Sequence, residues 1–138
     1  MSFPILLLLA ALAQGVQHDS PASLWKRMSE TRDERVVREI MAEQPVGVPQ
    51  AFGWLRVYQL TGDAKAGDAA ENIFEKALEQ SPTDPWLQFG YGEALALKNP
   101  KRFPLRASKY LLEALRLNPY LGRATRALKE ISERQLLR

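Results

Sequence analysis

No cysteine occurs among the 138 residues, and histidine occurs once, at His18. The first absence excludes disulfides, thiolate zinc sites and a cysteine nucleophile. The second removes multi-histidine metal sites and histidine acid–base chemistry, since His18 lies beside the expected start of the mature chain. Ser29, Ser81 and Ser132 therefore lack a base to activate them. Gly62, Asp63, Gly67 and Asp68 resemble a calcium loop only superficially, because the ligand alternation and closing glutamate are missing; they read as turn residues. Paired carboxylates and phosphate-cradling glycine loops are equally wanting. The chain is expected to be non-enzymatic, with no cofactor and no metal.

Long apolar runs are also lacking. Phe3 to Ala13 is uncharged but shorter than the about 20 residues that a membrane-spanning helix needs. Its length suits the apolar region of a secretory leader, and Ala11, Leu12 and Ala13 supply a small–large–small cleavage pattern, placing cleavage after Ala13. Met1 and Ser2 bring no Lys or Arg to the leading segment, so an apolar first helix or an uncleaved anchor stands as the alternative. The leader predicts export, to the periplasm or beyond. Residues 14–20 read as a flexible lead.

What is present is an internal repeat. Val37, Phe74 and Leu111 are 37 residues apart, as are Ile40, Ala77 and Ala114, and as are Pro45, Pro82 and Pro119. The preceding segments match too, Phe52–Gly53 against Phe89–Gly90 and Leu60 against Leu97. A period of that size with apolar residues at helical spacing marks an array of helix pairs. A glycine costs about 1 kcal/mol against alanine inside a helix, so its recurrence predicts a close helix–helix approach at Gly53 and Gly90. Ser20–Pro21 and Asp84–Pro85 read as helix starts, and Thr31 with Glu34 has capping-box spacing. Thr61, Gly62 and Asp63 read as a turn. The expected order is a degenerate helical repeat over 21–48, full repeats over 49–83 and 84–119, and a C-terminal capping helix over 120–138.

The second-helix spacing of Ala70, Phe74, Ala77 and Pro82, repeated by Ala107, Leu111, Ala114 and Pro119, resembles the tetratricopeptide repeat, as do Trp86, Phe89 and Gly90 in the first helix. Pro49, Arg56 and Glu93 depart from the family's pattern, and the period exceeds the usual one of about 34. The resemblance implies an all-α fold, an α-solenoid whose concave groove binds a peptide or helix of a partner protein. Carried onto this chain, the groove would be lined by Gln50, Trp54, Val57 and Tyr58 in one repeat and Leu87, Tyr91, Ala94 and Leu95 in the next. Trp54 and Tyr91 would anchor the partner as equivalent aromatics, against the reading of each as core. Trp25 and Trp86 are assigned to the core.

Charge of one sign is scarce at each end of the mature chain. Residues 18–97 hold 8 Lys or Arg and 13 Asp or Glu, whereas residues 98–138 hold 11 and 3. Lys98, Lys101, Arg102 and Arg106, with Arg123, Arg126 and Lys129, form a candidate basic surface. It suits an acidic protein segment or, as the alternative function, an anionic membrane surface or an assembly contact. Nucleic acid is disfavoured, because no motif for it is present. The oligomeric state is not legible.

Overall fold

The computed structural model describes residues 19–98 and 104–136, all of whose regular elements are helices. The expected leader over 1–13, His18, and the basic residues Lys101 and Arg102 lie outside the described residues. The helices are α1 (Pro21–Glu30), α2 (Glu34–Ala42), α3 (Val48–Thr61), α4 (Ala64–Gln80), α5 (Pro85–Lys98), α6 (Pro104–Leu117) and α7 (Gly122–Leu136).

Their limits follow from local chemistry. Ser20 Oγ accepts from the Ser23 N–H at 3.2 Å, with Pro21 in the first turn of α1. Gly62 closes α3 at φ +71, a left-handed turn that suits glycine, and Asp63 then caps α4 by accepting from the Lys65 N–H at 3.0 Å. Asp84 caps α5 through the Trp86 N–H at 2.9 Å. The expected capping box is corrected: Asp33, not Thr31, caps α2, accepting from the Arg35 N–H at 2.9 Å. Thr31 ends α1 instead, and its hydroxyl accepts from the Asp33 N–H. A carboxylate directly before the helix is the nearer acceptor, so the hydroxyl two residues earlier is left to the turn.

Each helix packs on the next, and α1, α3, α5 and α7 also pack on one another in that order. The odd-numbered helices thus form one row, with α2, α4 and α6 set against its other side. Val37, Phe74 and Leu111 are fully buried, one in each helix of the second row. Where the rows meet, aromatic rings fill the core. Phe52 lies 5.0 Å from Phe74, 5.9 Å from Trp25 and 6.0 Å from Trp86, and Phe89 lies within 5.9 Å of Trp25 and 5.6 Å of Trp86. Most of these contacts are edge-on, the arrangement that ring quadrupoles favour.

The two repeated glycines are close-approach positions, as expected, but with different neighbours. A Cβ on Gly53 would meet Met41 Sδ at 2.6 Å, whereas one on Gly90 would enter the Phe74 ring. The thioether end of Met41 can rotate away, although its Cγ at 2.9 Å and Cβ at 3.0 Å must also give; a fully buried phenyl ring wedged on Phe52 has less freedom. Gly90→Ala is therefore expected to cost about 1–3 kcal/mol and Gly53→Ala less than Gly90→Ala, read from urea midpoints. Equal costs would show that the ring at Phe74 yields as easily as the methionine.

Candidate functional site

The residues expected to line the groove are mostly interior. Val57, Leu87, Tyr91, Ala94 and Leu95 are buried, Trp54 and Tyr58 are half-buried, and Gln50 is half-buried with its amide near the Gln44 carbonyl. Tyr91 is 3% exposed, packed edge-on against Tyr110 at 4.7 Å, and its hydroxyl accepts from Arg106 at 3.0 Å. Burial holds its pKa above the ordinary tyrosine value, with Arg106 opposing. Trp54 sits under the Arg38 guanidinium of α2, 5.6 Å from its ring centre. Both aromatics thus face the second row of helices, and no ring contact joins them among the described residues. Most of the side chains assigned to the groove are thus enclosed between helices. Because α3 and α5 are flanked on several sides, both their faces are apolar, and periodicity does not say which face looks outward.

The open face of the odd-numbered row uses a different stripe. A cavity of about 220 Å³ lies between α1, α3, α5 and α7, with Trp25 and Phe89 in its floor and Arg56, Glu93, Arg123 and Arg126 around it. A second cavity of about 520 Å³ adjoins it at the start of α7, lined by Trp86, Tyr120 and again Arg123 and Arg126. Tyr120 is 94% exposed. Trp25 is core, as expected; Trp86 belongs partly to the core and partly to this surface.

Arg56 is the fixed post of the site. Its Nε donates to the Met28 carbonyl at 3.1 Å and its Nη2 to the Thr31 and Ser29 carbonyls at 2.8 and 3.4 Å. A cation thus satisfies carbonyls left open at the C-terminal end of α1. Burial, then the charges of Arg32 and Arg123, pull its pKa below the ordinary arginine value. Arg56 Nη1 donates to Gln59 Oε1 at 3.0 Å, which leaves the Gln59 amide nitrogen to donate onward.

Glu93 is only 6% exposed. Burial, helped by the charge of Glu130, pushes its pKa up to about 7, against the pull of Arg134 and Gln59. Arg123 and Arg126 form no ion pair among the described residues, and Glu130 is the other acid in the cavity. In the sequence Arg56 and Glu93 stand out only as departures from a repeat pattern. A charged residue at an otherwise apolar helix position is the signal that marks them.

The expected basic surface is divided. Lys98 is engaged by Asp68 and Glu71, Arg106 caps Tyr91, Lys129 approaches Glu133 at 4.0 Å, and Arg123 and Arg126 border the cavities. No described helix is long and apolar enough to cross a membrane. No family model, no curated protein and no solved structure matches this chain.

Proposed function

We infer that this chain is a non-enzymatic interaction scaffold, an exported α-solenoid of tetratricopeptide type, which holds an acidic segment of a partner protein on the open face of its odd-numbered helices. One observation carries the reading: two adjoining cavities share Arg123 and Arg126, cations without an ion pair among the described residues, beside Trp25, Trp86 and Tyr120. Aromatic surface next to unpaired guanidiniums suits a segment that alternates apolar and acidic side chains. The rings supply area at low entropic cost, and the guanidiniums supply orientation.

The test uses the chain from Gln14 onward and end-blocked peptides graded from acidic to basic, with tryptophan fluorescence as readout, because Trp25 and Trp86 line the cavities. Acidic peptides should bind, and an Arg123→Glu, Arg126→Glu double variant should weaken them by about 100-fold. Trp54→Ala, on the far side, should leave binding unchanged. Loss with Trp54→Ala and retention by the arginine variant would return the site to the other face. Binding to anionic vesicles in preference to peptides, fading with salt, would favour the membrane-surface alternative.

A further inference from the structure

We propose that occupation of the inner cavity by an acidic side chain is coupled to protonation of Glu93, so that the partner segment binds in a proton-linked step. The proposal rests on the reading that this cavity holds an acidic segment. It starts from geometry. Glu93 forms part of the wall of a cavity of about 220 Å³ whose cations, Arg123 and Arg126, would hold the incoming carboxylate. The Glu93 side chain has almost no solvent to withdraw into, being only 6% exposed among the helices that wall the cavity.

The charges around Glu93 are distributed element by element. Around the cavity that Glu93 walls, α3 presents Arg56 and Gln59, α7 presents Arg123, Arg126 and Glu130, and α1 presents Trp25 and Ser29; Glu130 and Arg134 of α7 act on its charge. The helices α4 and α6 pack elsewhere on α5, where Asp68 and Glu71 hold Lys98 and Arg106 holds Tyr91. Glu130 is exposed and can rotate into solvent when a second anion arrives. Glu93 can relieve the repulsion only by keeping a proton. As a neutral acid it also gains an O–H that can donate to the ligand's carboxylate. Its environment already brings that form to about half of the population near neutrality.

The probe is an acetylated, amidated hexapeptide of alternating leucine and glutamate, titrated by calorimetry in two buffers of different ionisation enthalpy. The peptide's own carboxyls titrate near pH 4.3, outside the working window. Wild-type affinity is expected to fall about tenfold between about pH 6 and about pH 8, with uptake of up to about one proton per complex. Glu93→Gln should bind near pH 8 as tightly as wild type does near pH 6, without proton uptake. A slope arising from His18 would survive in Glu93→Gln and so would count against the coupling. Binding that is independent of pH, or a slope unchanged by Glu93→Gln, overturns the coupling and leaves the acidic-segment reading standing. Absence of peptide binding at every pH overturns both. Should Glu93→Gln fail to fold by circular dichroism, the wild-type proton count decides alone, with zero uptake overturning the coupling.

Discussion

Phe52→Ala is expected to destabilise the chain by about 3–5 kcal/mol, the range for truncating a buried phenylalanine. Phe52 touches rings from three other helices, Trp25 of α1, Phe74 of α4 and Trp86 of α5, so its removal opens a cavity that no single side chain can fill. These neighbours are held by their own contacts, Trp25 and Trp86 each against Phe89, which limits collapse into the space. A loss of this size is a large fraction of the total for a small domain, so partial unfolding at room temperature is the expected appearance. Urea titration followed by far-ultraviolet circular dichroism reads it. Leu105→Ala serves as the control, because Leu105 is 82% exposed and its loss should change stability by less than about 0.5 kcal/mol. A Phe52→Ala cost near that of the control would mean that the aromatic cluster does not organise the fold.

The second large effect belongs to Glu93. Its carboxyl titrates near pH 7 in the folded chain against an ordinary value of 4.5, so folding favours the protonated form. Below the ordinary value the group is protonated in both states and contributes no penalty. As pH rises from there through 7, the unfolded chain releases the proton more readily, and the folded state progressively loses stability relative to it. At about 1.4 kcal/mol per pH unit the loss approaches about 3 kcal/mol and levels off above pH 7. Glu93→Gln keeps the shape and a hydrogen-bonding amide but cannot ionise. It should match wild type near pH 4.5 and exceed it by up to about 3 kcal/mol near pH 8. Asp33 and Glu113, whose pKa values are lowered chiefly by hydrogen bonds to Arg35 and Arg116, act with the opposite sign and only as pH falls through the acid range. Parallel wild-type and Glu93→Gln stability curves from pH 5 to pH 8 would show that this carboxyl is not held in the interior.

Glu93 thus serves two measurements with separate outcomes. The stability curve reports its burial in the free chain, and the calorimetric proton count reports its answer to a ligand. A buried acid that destabilises the free chain above neutrality is a feature that packing alone would not select, since an apolar residue would fill the position without the penalty. Its placement beside Arg123 and Arg126 links that cost to the cavity.

Much of the helical framework was legible in the residues, for reasons that act over a few positions. Ser20–Pro21, Asp84–Pro85 and the Gly62–Asp63 turn mark helix ends because a side-chain oxygen or a left-handed glycine serves the backbone directly beside it. The burial of Val37, Phe74 and Leu111 was likewise legible, since spacing along one helix places them on a common stripe. Gly53 and Gly90 announced close approaches, though not whether methionine or phenylalanine would stand opposite.

What the residues could not reveal was which side of α3 and α5 faces outward. Those helices are apolar on both sides because they touch neighbours before, after and across the row, so Trp54 and Tyr91 were as plausible in a groove as Arg56 and Glu93. Only the packing of four odd-numbered helices side by side turned Arg56, Gln59 and Glu93 toward Arg123 and Arg126, from positions far apart in the chain. Local chemistry settles where a helix begins and ends. The partners of a charge, and therefore its pKa and its use, depend on distances that exist only once the helices are assembled.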